Sequence, residues 1–235
     1  MENVPRHIGI ILDGNRRFAK RLMLKPWKGH EWGAKKFRTF VGWCNELGVE
    51  EITAYVFSIQ NFNRPKEEFD YLMGVFKKEF EHLLSQEEQA KLKKNDTRIS
   101  FIGRLWMLPE EIKQLQKQLM ETTKNHKTRH LNFAMAYGGR EEIIDAIKQI
   151  STEIQQGKIQ PDEITEETIT KHLWLESQPD LIIRTGGEQR TSNFLPWQGT
   201  YSELMFIEKY WPEIEKEDLL ACVQNYAERE RRFGK

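Results

Sequence analysis

Short apolar runs recur along this chain, each separated from the next by a longer stretch of helical periodicity, and that alternation limits what it can fold into. The runs are His7 to Leu12, Ile52 to Phe57, Arg98 to Ile102, His130 to Ala136, Leu181 to Ile183 and Leu204 to Ile207. Each has the length of a strand. Between the first two, Arg16 to Leu22 opens a helix. Trp32, Phe37, Phe40, Val41, Cys44 and Leu47 then fall near helical spacing, up to a stop at Gly48. Pro65 opens an amphipathic helix that carries Phe69, Leu72, Met73, Phe76, Phe80, Leu83 and Leu84, with Glu67 and Glu68 in its first turn. Ser85 to Thr97 reads as the end of that helix plus a loop. Further helices are expected after Pro109, over Arg140 to Gln156 and over Glu213 to Arg232. Strand followed by helix, repeated, predicts an α/β fold: a six-stranded, mainly parallel sheet flanked by helices. There is no internal repeat or linker, so residues 1–235 read as a single domain.

Charge excludes one class of partner. Lys plus Arg total 36 and Asp plus Glu total 36, so the chain as a whole has no field to draw in nucleic acid. An anion site must come from local clustering. The two cysteines, Cys44 and Cys222, lack CxxC spacing, which argues against a disulfide framework or a zinc site and fits a cytoplasmic location. The N-terminal stretch has no signal-peptide core, and no apolar run reaches membrane-spanning length. A lipid substrate would be met from the soluble side, with at most a peripheral membrane contact for product release.

In an open parallel sheet, ligands bind beyond the carboxyl ends of the strands. Asp13, Gly14, Asn15, Arg16 and Arg17 follow the first strand. Ser58, Asn61, Asn63 and Arg64 follow the second, and Gly138, Gly139 and Arg140 the fourth. Arg184, Gly186, Gly187, Glu188, Arg190 and Ser192 follow the fifth. Glycine-rich turns expose backbone N–H groups, and arginine presents a planar fork to phosphate oxygens. The set therefore points to more than one phosphate group. Asp13 and Glu203 fit such a site if a divalent cation bridges them to a diphosphate. Neither GxxxxGK[ST] nor GxGxxG occurs, which disfavours a nucleotide.

At these residues the chain resembles the cis-prenyltransferases, the undecaprenyl diphosphate synthase family. The resemblance is carried by the segments His7 to Lys20, Gly29-His30 with Gly33, Phe57 to Pro65, Tyr137 to Arg140, Asp180 to Phe194 with Tyr201 to Leu204, and Arg229 to Gly234, in that order. It implies a homodimer, a hydrophobic tunnel rising from the strand ends, and Mg2+ as cofactor. An allylic prenyl diphosphate would sit at Asp13, cradled by Gly14, Asn15, Arg16 and Arg17. Isopentenyl diphosphate would be held by Arg184, Arg190 and Ser192. Ser58, Phe62 and Arg64 of the second signature would also touch substrate. Asp13 and Glu203, of the same or the partner chain, would place the metal. Asp13, His30 and Asn61 would be catalytic, the last two near the proton transfer.

The departures from the family pattern cluster. Gln60 and Phe62 stand where Glu and Trp are usual, Ala136 where Asn is usual, Pro26 where Arg is usual and Gln189 where His is frequent. Lys25 or Lys28 could replace the charge missing at Pro26. The expected reaction is condensation of an allylic prenyl diphosphate with isopentenyl diphosphate to a short- or medium-chain Z-prenyl diphosphate. The alternatives are lavandulyl-type, non-head-to-tail coupling of two allylic diphosphates, and a non-catalytic partner subunit of a prenyltransferase. Val56 is expected to line the tunnel. Taken singly, Asp13 would read as a helix N-cap, Arg140 and Arg184 as surface charges, and the Phe69 to Leu84 helix as core packing. His82, His126, His130 and His172 show no ligand spacing.

Overall fold

The computed structural model describes residues 3–229. Its elements follow the expected alternation: β1 (His7–Ile11), α1 (Asn15–Arg21), α2 (Gly29–Leu47), β2 (Glu51–Ser58), α3 (Lys66–Leu83), α4 (Gln86–Lys94), β3 (Thr97–Ile102), α5 (Glu110–Thr123), β4 (Arg129–Tyr137), α6 (Gly139–Gln155), α7 (Glu166–His172), β5 (Leu181–Thr185), β6 (Glu203–Ile207) and α8 (Lys216–Glu228). All six strands are parallel and lie in the order β3-β4-β2-β1-β5-β6. The chain runs outward from β1 to one side and later crosses back to add β5 and β6 on the other. Strand order therefore reverses beside β1, and the crevice for a ligand lies above its carboxyl end.

Side-chain alternation builds two unequal layers. Ile8 and Ile10 of β1, Leu181 and Ile183 of β5, and Leu131, Phe133 and Met135 of β4 face one side. There they meet Phe37 and Phe40 of α2, Leu72 and Phe80 of α3, Leu119 of α5 and Val223 of α8. Ile11, Ile182 and Ala134 face the other side, against Tyr137, Leu175, Phe194 and Leu195. At the foot of the sheet a buried polar network crosses three strands. His7 Nε2 lies 2.8 Å from Thr53 Oγ1, and Asn132 Nδ2 donates to Glu51 Oε1 at 2.6 Å. Burial pushes His7 below the ordinary histidine range.

Two expectations are corrected and one helix is added. Ser85 to Thr97 is not a loop but mostly α4, whose first turn is capped by the Ser85 hydroxyl accepting from Glu88 N at 3.4 Å. The run Ser85-Gln-Glu-Glu88 carries the Ser-x-x-Glu capping signature that announces such a start. The terminal helix begins at Lys216 rather than Glu213, after a short 3-10 turn at Trp211–Glu213, and its expected continuation to Arg232 lies outside the described residues. Helix α7, capped by Thr165 accepting from Thr168 N at 3.2 Å, was not anticipated.

Candidate active site

The site begins where β1 ends. Asp13 Oδ1 accepts from Gly14 N at 2.6 Å. Its backbone carbonyl accepts from Thr185 Oγ1 at 2.7 Å and from Trp211 N at 2.9 Å. Gly14 turns the chain with φ 106, and a Cβ there would come within 2.8 Å of Tyr210, so the turn admits no other residue without movement. The Asp13 carboxylate is aimed at two guanidinium groups, Arg184 Nη2 at 2.8 Å and Arg17 Nη2 at 3.3 Å.

Strand register explains why Arg184 meets Asp13. Arg184 of β5 lies opposite Ile11 of β1, two residues before Asp13. Arg184 is 5% exposed, and a buried cation needs partners. Its Nη1 donates to Ser192 Oγ at 2.7 Å and to the Arg190 carbonyl at 2.6 Å. Ser192, Asn193 and Leu195 all adopt positive φ, which curls the loop after β5 back over Arg184.

A second cationic group comes from the end of β2. Ser58 and Asn61 form a reciprocal cap on the 3-10 turn Ile59–Asn63: Ser58 N donates to Asn61 Oδ1 at 3.0 Å. The Asn61 carbonyl oxygen is thus engaged and its amide nitrogen is left for the cavity. Arg64 follows the turn and pairs at 3.1 Å with Glu68, one helical turn on in α3. Arg16 lies 3.5 Å from the same carboxylate. Glu68 is only 1% exposed. It holds two arginines side by side that would otherwise repel.

His30, in the first turn of α2, closes the group. Burial, then the nearby charges of Arg64 and Arg16, push it down to about 3, so the ring is neutral. Its Nε2 is buried and has no hydrogen-bond partner within the protein.

Two cavities meet here. One, of about 390 Å³, is cationic, with Arg16, Arg17, Lys20 and Arg190 in its wall beside Glu188. The other, of about 290 Å³, runs between the sheet and helices α2 and α3, past Ala34, Phe37, Leu72, Val75, Phe76 and Phe80. They share Leu12, Asp13, Asn15, His30 and Arg64. A register shift in the β2–β4 pairing between Tyr55 and Phe57 brings Tyr55, Val56 and Phe57 together into the apolar wall. Regular alternation from Ile52 and Ala54 already turns Val56 to this side, and the shift turns Phe57 there as well by setting it opposite Met135. A charged chamber opening into a greasy one fits an amphiphile with an anionic head and a hydrocarbon tail.

Most of the expected residues are brought together: Asp13, Gly14, Asn15, Arg16, Arg17, His30, Ser58, Asn61, Arg64, Arg184 and Arg190 line one or both cavities, and Ser192 holds Arg184. The remaining candidates lie elsewhere. Phe62 packs on Phe57 and Phe69, with ring centroids at 5.1 and 5.6 Å, and is not in the wall. Arg140 lies outside both cavities, and only its backbone nitrogen ties it to the loop after β5, through Asn193 Oδ1 at 2.9 Å. Glu203 cannot share a metal with Asp13 of its own chain. It starts β6, three residues below the level of Ile11, while Asp13 is two residues above that level. At about 3.3 Å per residue the two levels are roughly 16 Å apart, and Glu203 pairs instead with Arg229. Lys25 does not replace the charge missing at Pro26, since it is bound to Glu67 at 2.7 Å, and Lys28 lines neither cavity. Glu68 was not singled out, although its i,i+4 spacing from Arg64 on a helix start is a readable signal.

The family model described as "Putative undecaprenyl diphosphate synthase" matches residues 11–234. This chain belongs to the undecaprenyl diphosphate synthase family of cis-prenyltransferases. Among curated relatives, a tritrans,polycis-undecaprenyl-diphosphate synthase (geranylgeranyl-diphosphate specific) of Methanopyrus kandleri is 46% identical over 99% of this chain and 85% of its own length. A protein of the same name from Methanocaldococcus jannaschii is 44% identical over 100% of this chain and 84% of its own. Among solved structures, lavandulyl diphosphate synthase from Lavandula x intermedia, in complex with dimethylallyl diphosphate, superposes with a TM-score of 0.91 at 34% identity over all of both chains. A probable undecaprenyl diphosphate synthase from Campylobacter jejuni gives 0.80 at 29% identity, also over all of both chains. The protein is thus a prenyltransferase. No helix of the described residues is long and apolar enough to cross a membrane.

Proposed function

We propose that this cis-prenyltransferase condenses isopentenyl diphosphate with an allylic prenyl diphosphate of geranylgeranyl length, repeatedly, to a medium-chain Z-prenyl diphosphate in the cytoplasm. The observation that carries this is the shared wall of the two cavities: Asp13, Asn15, His30 and Arg64 border both the cationic chamber and the apolar one. The allylic diphosphate lies against Gly14, Asn15, Arg16 and Arg17, with its tail in the apolar cavity, which serves as the tunnel. Arg184, Arg190 and Ser192 take the diphosphate of isopentenyl diphosphate. Primer length follows the curated relatives, whose names specify geranylgeranyl diphosphate.

In each round the allylic C–O bond breaks and its electron pair leaves with the diphosphate. The double bond of isopentenyl diphosphate supplies the electrons of the new C–C bond, and one proton is lost. Arg16 and Arg17 receive the growing negative charge on the leaving group. Arg64, held by Glu68, fixes its orientation. His30, kept neutral, has an unengaged Nε2 beside the reacting carbons, and the Asn61 amide is the adjacent donor. A divalent cation suits the donor set: one carboxylate, Asp13, already drawn to cations, beside a diphosphate rich in oxygen, which is how magnesium is commonly held. When bound, magnesium supplies charge neutralisation to the departing diphosphate. Among the described residues no cluster of three or more His, Cys, Asp or Glu forms a metal site by itself; Asp13 would hold the ion together with oxygens of the bound diphosphate.

A homodimer completes the reading. Leu204 and Phe206 on the edge strand β6, each 37% exposed, and Ile144 and Ile147 on α6 leave apolar surface for a second copy. Glu203 lies on the same edge strand, so Glu203 of the partner subunit is the remaining candidate for the second metal carboxylate.

Neither alternative is favoured. The curated relatives at 42–46% identity are polycis synthases, and the assembled Asp13, Arg17 and Arg184 cluster argues against a non-catalytic subunit. The test is mass analysis of products from purified protein with magnesium and geranylgeranyl diphosphate, with and without isopentenyl diphosphate. A ladder that grows by one five-carbon unit and requires isopentenyl diphosphate is expected. Product formed from dimethylallyl diphosphate alone would replace this reading with branched coupling.

A further inference from the structure

Helices α2 and α3 lie side by side over the sheet, and three polar pairs stitch their outer seam. Lys25, ahead of α2, binds Glu67 at 2.7 Å; Glu31 binds the Tyr71 hydroxyl; Arg38 Nη1 binds Glu79 Oε2 at 2.6 Å. The first two pairs stay outside the apolar cavity. The third does not, because Glu79 is part of the cavity wall. Apart from Tyr55, the other ionisable groups in that wall, Asp13, His30, Arg64 and Arg184, belong to the mouth. Glu79 stands eleven residues further along α3 than Glu68, about 16 Å down the helix axis. Phe76, Phe80 and Leu83, at helical spacing around it, form the apolar lining at that depth, backed by Phe133 of β4.

We propose that the Arg38–Glu79 ion pair is a length gate: it closes the α2–α3 seam deep in the cavity, one helical turn short of Leu83, and a growing prenyl tail must part it to extend further. This rests on the reading that the cavity holds the tail. Up to the pair, each added isoprene unit gains apolar contact with phenylalanine and leucine side chains. At the pair, further growth strips the remaining water from a guanidinium 38% exposed and a carboxylate 22% exposed, and offers them no hydrogen bond. A tail that parts the pair leaves each charge facing hydrocarbon without its partner, so the pair resists the tail where a purely apolar seam would yield.

The test compares the wild type with Arg38→Glu, Glu79→Arg, Glu79→Gln and the swap Arg38→Glu/Glu79→Arg. The assay is geranylgeranyl diphosphate, isopentenyl diphosphate and magnesium, with the product distribution read by mass spectrometry. The three variants that break the pair are expected to move the dominant product up by at least one five-carbon unit. The swap, which restores opposite charges, is expected to return it to the wild-type length. Glu79→Gln keeps the shape of the side chain, so it reads the charge even if a reversal disturbs folding. An unchanged distribution in Glu79→Gln, or a swap that stays long, overturns the gate. A wild type that makes no ladder with isopentenyl diphosphate would instead overturn the proposed activity.

Discussion

Arg184 grips the carboxylate of Asp13 with one guanidinium nitrogen, at 2.8 Å, while another nitrogen of the same fork holds the Ser192 hydroxyl at 2.7 Å. The loop after β5 and the turn after β1 are thereby fixed to each other through one buried cation.

Asp13→Asn is expected to lower turnover by about 100-fold or more, the usual scale for losing one preorganised charge contact at a developing anion. The amide cannot accept from both Arg17 and Arg184, and Arg184 is left buried with a weaker partner. A stability loss of about 1–3 kcal/mol should accompany it. Steady-state kinetics and urea unfolding measure the two effects separately. Full activity in the variant would remove Asp13 from the metal and the leaving group.

Val56→Ala is expected to shift products to longer chains. Val56 lines the cavity beside Phe57, and removing two methyl groups deepens the wall there. Mass analysis of the product ladder is the check, and an unaltered ladder would place the tail elsewhere.

His30 makes stability depend on pH. Its ordinary value of 6.5 falls to about 3 in the folded chain. Below about pH 6.5 the unfolded chain therefore takes up a proton that the native chain refuses, and stability falls as acid is added, by about 1.4 kcal/mol per pH unit for one such group. His7, lowered by burial, acts with the same sign. His172, raised by the Thr168 carbonyl and by Glu153, acts with the opposite sign. His30→Asn should lose one group's share of the slope between pH 6.5 and 5, read by urea unfolding at several pH values. An identical slope would show that His30 is not held neutral by the fold.

Met23→Gly should stabilise the protein by about 1 kcal/mol. Met23 has φ 56 and is 94% exposed. The left-handed backbone is strained for a side chain that packs against nothing, so glycine relieves strain without opening a cavity. Urea midpoints decide it; a lower midpoint would mean that the Met23 side chain finds contacts.

Sequence carried the architecture because its signals are local. Apolar runs of strand length, prolines at the openings of α3 and α5, and Gly48 at the close of α2 each act within a few residues. The mouth of the site was legible for a related reason: in a parallel sheet every residue just past a strand end arrives at the same edge, so Asp13, Arg64 and Arg184 had to be neighbours. What escaped depends on three-dimensional register. The irregular β2–β4 pairing that turns Phe57 to the cavity, the pairing of α2 with α3 through Arg38 and Glu79, and the burial of Glu68 between two arginines have no pattern along a single segment. For Glu203 the sequence left the same and the partner chain open, and only the direction of the sheet, which sets the start of β6 far below the end of β1, excludes its own chain's Asp13. Phe62 was drawn to substrate by its place in the second signature, and its ring instead found Phe57 and Phe69.

The shared wall between the charged and apolar chambers also bears on inhibition. A purely hydrocarbon guest would occupy one room and leave the other open. It would then weaken binding of the allylic primer while leaving the grip on inorganic pyrophosphate untouched. A compact polyanion would do the reverse. Only a molecule that spans Asn15 and His30, anionic at one end and greasy at the other, would exclude both, and the gain over its two halves would measure how rigidly that wall is held.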